Sequence, residues 1–183
     1  MAEISEQSKK AIQEFLAEWW ADLTWKAHET VAGAQLPPQT PEQLYDQLFG
    51  ATLRQIAAAA EGLLPDDDEV RAEVYEACQQ VCEWMWARPG MPAQYYIPDG
   101  HNPAGANWWH TPIGWLVMSA LAWCRGDEFI SPSQAAKLAG VSPSAVSQWL
   151  KRGQLQMYLD PHEPNPQRAT RLLRSDVERL RMK

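Results

Sequence analysis

Long apolar runs are missing from this chain, and so are the features of a secreted protein. The longest apolar stretch, Ile113 to Cys124, is shorter than the ~20 residues that a membrane-spanning helix needs. The first residues, Met1 to Glu6, are polar and acidic, whereas a secretory signal begins with basic residues and continues into an apolar segment. Cysteine is also scarce, and three residues cannot all pair with one another. These absences predict a soluble, cytoplasmic protein with reduced thiols and no membrane partner.

Motifs of catalysis are absent as well. The sequence has no glycine-rich phosphate loop, no nucleophile elbow and no HExxH zinc motif. The acidic run at 66–69 could suggest a cation site, but acidic side chains also complement the beginning of a helix. Cys78 and Cys82 could be half of a metal or redox site, but no second ligand pair lies nearby in sequence, and buried free cysteines commonly pack as small apolar residues. We therefore expect no enzymatic activity, no metal and no cofactor.

Charge is distributed unevenly along the chain, whose formal net charge is -7. Residues 129–183 contain nine basic and four acidic residues, a net charge of +5, whereas residues 1–128 carry -12. A basic segment joined to an acidic body is typical of a DNA-binding module attached to another domain. Local charge bias also occurs in proteins that bind no DNA, so the interpretation depends on the motifs of the basic segment.

Apolar residues at helical spacing predict an all-α bundle over residues 1–126. One helix is expected over 5–32, a second from the capping signals at Thr40 to Gly62, and a third from the acidic run at 66–69. After an irregular segment at 88–111, an apolar helix follows and ends at Gly126. The expected buried stripes are Ile12, Phe15, Leu16, Trp19, Leu23 and Ala27, then Leu44, Leu48, Thr52, Ile56 and Ala60, then Val70, Val74, Ala77, Val81 and Met85.

Tryptophan is abundant in this bundle: nine of the ten tryptophans precede residue 129. They could line an aromatic pocket for a flat effector, covered by the segment 88–111. They could also form a bundle core and a dimer face, both of which use aromatic residues heavily. Helical spacing alone explains Trp19 and Trp123, so we favour the second interpretation.

The segment 131–153 fits the template of a helix-turn-helix. Ala136 supplies the small residue where the two helices cross, and Gly140 supplies the residue that tolerates positive φ in the turn. Ser131 and Ser142 can cap the two helices, and each is followed by a proline suited to the first turn. The alternative is an ordinary helical corner without a role in DNA binding, but all these signals agree in register. The shared core is expected at Val141, Val146 and Trp149.

A β-hairpin and a short helix are expected next. Residues 155–159 alternate as a half-buried strand does, 160–169 contain three prolines and form the turn, and 170–174 return as the second strand. Ser175 to Glu178 then form a capping box that opens the last helix.

This order resembles the winged helix-turn-helix of the MerR and excisionase-like group. The residues that carry the resemblance are Ser131 to Gly153, the hairpin, and Arg174 to Leu180, within about 55 of the 183 residues. The resemblance implies a domain that places its second helix in the major groove and its wing on the flanking backbone. MerR regulators carry this domain at the N-terminus before a dimerising helix, whereas here an unrelated bundle precedes it. The effector chemistry of that family, including metal sensing, is therefore not transferred.

Residues near the beginning of a recognition helix reach base edges, so that helix provides most candidate contacts. Gln148 can make a paired hydrogen bond to adenine, and nearby serine hydroxyls can bond several bases. Lys151 and Arg152 suit phosphates, and the hairpin arginines suit the backbone or the minor groove. The candidate DNA-binding residues are Ser133, Gln134, Ser142, Ser144, Ser147, Gln148, Lys151, Arg152, Arg168 and Arg171.

Together, these patterns predict a mainly α protein with two domains. Residues 1–126 form a bundle for dimerisation, effector binding or both, and residues 127–183 form a winged helix-turn-helix with a small β-hairpin. The expected function is sequence-specific binding of duplex DNA for transcriptional control by a homodimer, with the helix around 143–152 in the major groove. One alternative is an architectural or phage-type DNA protein, such as an excisionase or a small packaging subunit. Another is a protein-interaction module that binds no DNA.

Overall fold

The protein is mainly helical, as predicted, with a small antiparallel sheet in its C-terminal part. The computed structural model describes residues 3–30, 37–86 and 111–182, so nearly all of the predicted irregular segment at 88–111 lies outside it. Within these ranges, no helix combines the length and the apolar character that crossing a membrane requires. The elements in chain order are α1 (Glu6–Thr30), α2 (Pro41–Asp46), α3 (Leu48–Ala60), α4 (Asp68–Trp86), α5 (Pro112–Cys124), β1 (Phe129–Ile130), α6 (Pro132–Ala139), α7 (Pro143–Lys151), β2 (Tyr158–Leu159), β3 (Thr170–Leu173) and α8 (Arg174–Arg181).

Helix α5 is the most apolar helix and packs against α1, α3 and α4. Val117 and Ala120 on this helix have no exposed surface. A helix that is apolar on nearly all sides is stable only when other elements surround it, which explains this position. Thr111 caps the helix by accepting a hydrogen bond from the Gly114 amide (3.2 Å). The predicted end of the helix at Gly126 is confirmed, and Gly126 has a positive φ of 67°.

The predicted buried stripes of the bundle are confirmed in large part. The stripe on α4 is wider than predicted because Cys78 and Cys82 are fully buried, whereas Val70 is partly exposed. The side chains of Leu23, Ala27, Leu48 and Met85 lie outside the described part. The buried members of the predicted stripes are Ile12, Phe15, Leu16, Leu44, Ile56, Val74, Ala77 and Val81.

The prediction of one continuous helix from Thr40 to Gly62 is wrong, because Gln47 divides it into α2 and α3. Gln47 has an extended backbone, with φ -83° and ψ 178°. An extended residue interrupts the helical repeat, so a stripe counted through the break holds only in part beyond it, where Ile56 is buried as predicted. Helix α3 accordingly buries Leu53, which the stripe omits, and leaves Thr52 and Ala60 partly exposed.

The C-terminal part has its own cluster of buried side chains. Ala136 on α6, Val146 on α7, Leu172 on β3 and Val177 on α8 meet there, with at most 4% of their surface exposed. The predicted core positions Val141 and Trp149 also pack against this cluster, although both are partly exposed. The two helices, the sheet and the last helix are thus held around one set of apolar side chains.

The sheet differs from the predicted hairpin in two ways. It has three strands in the order β1-β3-β2, so β3 lies in the centre. Strand β1 gave no sequence signal because two residues cannot show an alternating pattern. Strand β2 covers only 158–159 instead of 155–159, because Leu155 is buried in the C-terminal cluster rather than paired in the sheet.

The predicted capping box at Ser175 is also wrong. Helix α8 begins at Arg174 directly after β3, and its N-cap, Leu173, offers no side-chain hydrogen bond. The backbone N–H of Ser175 instead donates to Asp127, while Glu178 pairs with Arg174. Because the strand passes into the helix without a loop, a side chain from another part of the chain caps the helix.

Candidate nucleic-acid interface

Helices α6 and α7 are joined by a tight turn, Gly140 to Ser142. Gly140 has φ 70° and ψ 31°, a left-handed conformation that the sequence predicts at this position. Its backbone N–H and that of Val141 donate to carbonyls in the last turn of α6, the latter to Ala136 at 3.0 Å. A Cβ at Gly140 would meet no atom within 4 Å, so the backbone conformation and not space demands glycine.

At the beginning of α6, the predicted contact residues Ser133 and Gln134 take part in capping. The Gln134 Oε1 accepts hydrogen bonds from the backbone N–H and the hydroxyl of Ser131, both at 2.8 Å. Ser131 Oγ in turn accepts from the Gln134 backbone N–H at 3.3 Å and lies 3.0 Å from Ser133 Oγ. This is a capping box. The spacing Ser-x-x-Gln could have indicated it from the sequence, and it gives Gln134 a local role.

At the beginning of α7, the serine hydroxyls bond to one another and to the backbone. Ser142 Oγ accepts a hydrogen bond from the Ala145 backbone N–H at 3.3 Å and lies 2.7 Å from Ser144 Oγ. Ser147 Oγ donates to the Pro143 carbonyl at 3.1 Å. All three serines are exposed, so their hydroxyls form a polar surface. Each hydroxyl also takes part in a hydrogen bond within the first turns of α7.

One line of side chains on α7 points directly away from the core. Val146 is fully buried and therefore marks the inward side of the helix. At ~100° per residue, Ser144, Gln148 and Lys151 lie about 140–200° around the helix from Val146. These positions follow the i, i+4, i+7 spacing of one helix face, and all three side chains are exposed. Arg152 follows at the C-terminal end of the helix and is exposed as well.

The two arginines of the hairpin, Arg168 and Arg171, have different surroundings. Arg171 on β3 forms an ion pair with Asp160 at 2.7 Å, and only 21% and 15% of the two side chains are exposed. The same guanidinium donates to the Thr170 carbonyl at 3.2 Å and to the carbonyl of Arg168. Arg171 therefore holds the hairpin together, whereas the Arg168 side chain is exposed at the turn.

Ion pairs in the C-terminal part leave a group of cations without carboxylate partners. Besides Asp160, the acids Asp176 and Glu178 are paired, each at 2.9 Å, with Arg179 and Arg174. Within the part of the chain that the structure describes, no salt bridge involves five exposed basic residues of this region. These residues are Lys137, Lys151, Arg152, Arg168 and Arg181. Arg181 donates instead to a backbone carbonyl, that of Leu138, at 3.3 Å.

Aromatic rings connect this region to the bundle. Phe129 on β1 lies between Trp115 on α5 and Tyr158 on β2, at centroid distances of 4.8 and 5.0 Å. Phe129 and Tyr158 pack against the bundle core, although both belong to the small sheet. Burial raises the pKa of Tyr158, as do the nearby Asp176 and Asp127 carboxylates, and Arg125 lowers it by less. These ring contacts involve α5, β1 and β2, so they do not include the surface formed by α6 and α7.

The bundle shows no metal centre among its described residues, where no group of three or more His, Cys, Asp or Glu could hold an ion. Within the described residues, Cys78 and Cys82 form no disulfide, and neither has exposed surface. Burial raises the pKa of the Cys78 thiol well above its usual value. The pocket hypothesis stays a prediction, because five of the nine tryptophans lie outside the described side chains: Trp25, Trp84, Trp86, Trp108 and Trp109. Trp19, Trp20, Trp115 and Trp123 pack against the bundle core.

Comparison of the chain with protein-family models, with curated proteins and with solved structures finds no match. The functional interpretation of the α6–α7 surface therefore rests on its own geometry and charge.

Proposed function

We propose that this chain is a transcription regulator that binds duplex DNA sequence-specifically as a homodimer. In this proposal α6, α7, the hairpin and α8 act as a winged helix-turn-helix, similar to the MerR and excisionase-like group. Helix α7 enters the major groove, and the hairpin turn with Arg168 lies on the flanking backbone. The bundle of residues 1–126 supplies the dimer contact.

The supporting observation is the arrangement of charge around α7. The outward line of this helix carries uncharged polar groups at Ser144 and Gln148. It ends in Lys151 and Arg152, which form no salt bridge with any residue that the structure describes. Uncharged donors and acceptors suit base edges, whereas lysine and arginine suit phosphates. Asp160, Asp176 and Glu178 pair with arginines outside α7, so these carboxylates do not neutralise the cations at the end of α7.

We expect a homodimer because one winged helix-turn-helix module covers little DNA. A single DNA-binding module of this size buries about 600–1,000 Å² on DNA, which is at the lower end for specific binding. Helix-turn-helix dimers gain specificity by binding two half-sites about one helical turn apart. We therefore expect an inverted repeat as the target.

The proposal is tested by selecting the full-length protein against random duplexes at two salt concentrations, with sequencing of the bound pool. Enrichment of an inverted repeat and a fall in affinity with salt are the expected results. Salt-sensitive binding without an enriched sequence would instead support an architectural protein. Absence of binding at low salt would overturn every DNA-binding interpretation.

A charge-matched pair of variants assigns the binding to this surface. Lys151→Gln/Arg152→Gln should weaken binding to all sequences alike and reduce the salt slope by about 2, because each lost phosphate contact removes about 0.9 from it. Lys9→Gln/Lys10→Gln removes the same charge from α1 of the bundle and should leave affinity and slope unchanged. Equal effects of the two double variants would show that binding is not localised at α7.

A further inference from the structure

The exposed groups on α7 are not equally available to a ligand. The Ser144 hydroxyl is bonded to that of Ser142, and the Ser147 hydroxyl donates to the Pro143 carbonyl. Among the described residues, no side-chain hydrogen bond involves Gln148. Its amide therefore retains its donors and its acceptor, whereas the Ser147 proton is used within the helix and the Ser142–Ser144 pair uses one of its two protons internally.

Gln148 also has the central position on the outward line. Ser144 precedes it by one turn and Lys151 follows it by one turn, and Val146 on the opposite side is fully buried. Gln134 has the same kind of amide on α6, but its oxygen is bound to Ser131. Among the two glutamines of the helix pair, Gln148 alone presents its amide oxygen unbonded.

Charge on α7 restricts what its first two turns can recognise. Between Pro143 and Gln148 the sequence has no lysine or arginine, the residues that contact guanine most often in the major groove. A glutamine amide matches adenine instead, because it can accept from N6 and donate to N7 at once. The nearest cations, Lys151 and Arg152, lie at the far end of the helix, where phosphates are expected.

We infer that Gln148 is the specificity-determining residue of α7 and recognises adenine in each half-site through N6 and N7. This inference rests on the proposed function, since it requires duplex DNA at α7. Of the ten candidate contact residues, the inference assigns base recognition to Gln148 and names adenine as its partner. Ser144 and Ser147 then shape the surface beside it without selecting a base.

The first test repeats the selection with Gln148→Ala and with a matched control, Gln7→Ala, which truncates an exposed glutamine of α1. The wild type and the control should enrich the same inverted repeat with one strongly preferred adenine in each half-site. Gln148→Ala should keep the repeat but lose that preference, with affinity about five- to 150-fold lower. If Gln148→Ala selects the same adenine, the inference is overturned and the proposed function stands. If the wild type enriches no sequence, the proposed function fails together with the inference.

The second test replaces one nitrogen of the selected adenine, N7, by a C–H group. Replacing the selected adenine by 7-deazaadenine deletes the N7 acceptor and should weaken wild-type binding, while Gln148→Ala should bind both duplexes equally. Gln148→Arg should shift the preference at the same position from adenine to guanine, which a purely structural residue would not do. An N7 deletion that weakens both proteins equally would contradict a contact from Gln148.

Discussion

The carboxylate of Asp127 accepts hydrogen bonds from both the backbone N–H (3.1 Å) and the hydroxyl (2.5 Å) of Ser175, 48 residues further along the chain. Asp127 thereby caps α8, which has no capping side chain of its own. Arg174 adds ion pairs to Glu128 and Glu178, each at 2.9 Å. The Glu178 and Glu128 carboxylates, hydrogen-bonded to the Arg174 guanidinium, raise its pKa. The segment between α5 and β1 is thus fastened to the last helix.

Asp127→Ala should destabilise the protein by about 1 kcal/mol, the usual cost of removing a helix cap. Chemical denaturation followed by circular dichroism measures this loss. Glu76→Ala, which removes an exposed acid from the middle of α4, is the control and should change stability by less than about 0.5 kcal/mol. A combined Asp127→Ala/Ser175→Ala variant should cost little more than Asp127→Ala alone. Additive losses would show that the two residues do not act together.

Arg171→Ala should lower stability more than Arg168→Ala. Arg171 is mostly buried and bonded to Asp160 and two carbonyls, and hydrogen bonds to charged groups contribute about 1.5–3 kcal/mol. Arg168 is exposed, so its removal should leave unfolding unchanged and weaken DNA binding. Denaturation and duplex titration of both variants separate the two roles. Equal stability of both variants would contradict the structural role of Arg171.

Gly50→Ala should destabilise the bundle by about 1–3 kcal/mol, the range for overpacking a tight contact. A Cβ at this position would overlap the backbone carbonyl of Tyr45, which a side-chain rotation cannot relieve. Thermal unfolding measures the effect. Ala51→Gly tests the same helical turn without added volume, and only the propensity cost of about 1 kcal/mol is expected there. A neutral Gly50→Ala would mean that α2 and α3 are not held this closely.

Gly140 should respond differently to substitution because space is not its constraint. Gly140→Ala should cost about 1–2 kcal/mol for the left-handed backbone, and Gly140→Asn should cost less because asparagine tolerates that conformation. The free energy of unfolding of both variants checks this order. Equal losses would point to packing rather than backbone strain at the turn.

Acid should remove a contribution of Glu61 to stability. Burial works to raise the pKa of Glu61, but hydrogen bonds from the Ser5 and Ser8 hydroxyls and the Ser5 backbone N–H outweigh it and lower the pKa. A lowered folded-state pKa stabilises the fold above the ordinary glutamate value, and this contribution disappears as the pH falls through the lowered value. Glu61 is partly exposed, so the effect is small. Glu61→Gln should flatten this acid limb of the stability profile, which denaturation at a series of acidic pH values measures.

Sequence predicted the local features of the α6–α7 surface well, because local residues determine them. The caps at Ser131 and Ser142 and the turn at Gly140 are each determined by residues within a few positions. The break at Gln47 gave no signal, because glutamine is an ordinary helix residue. Hydrogen bonds between residues far apart in sequence, such as the one from Ser175 to Asp127, could not be predicted either. The same limit hid the ion pair of Arg171 with Asp160, and a DNA contact of Arg171 stays a prediction.

The ring contacts of Phe129 with Trp115 and Tyr158 pack the small sheet against the bundle. In the proposed dimer, the separation of the two α7 helices is set by packed side chains rather than by a pliable linker. Such a protein tolerates little variation in the spacing of its half-sites, since each added base pair rotates one half-site by about a tenth of a turn relative to the other. The bundle would then determine which spacings are recognised, although it touches no base.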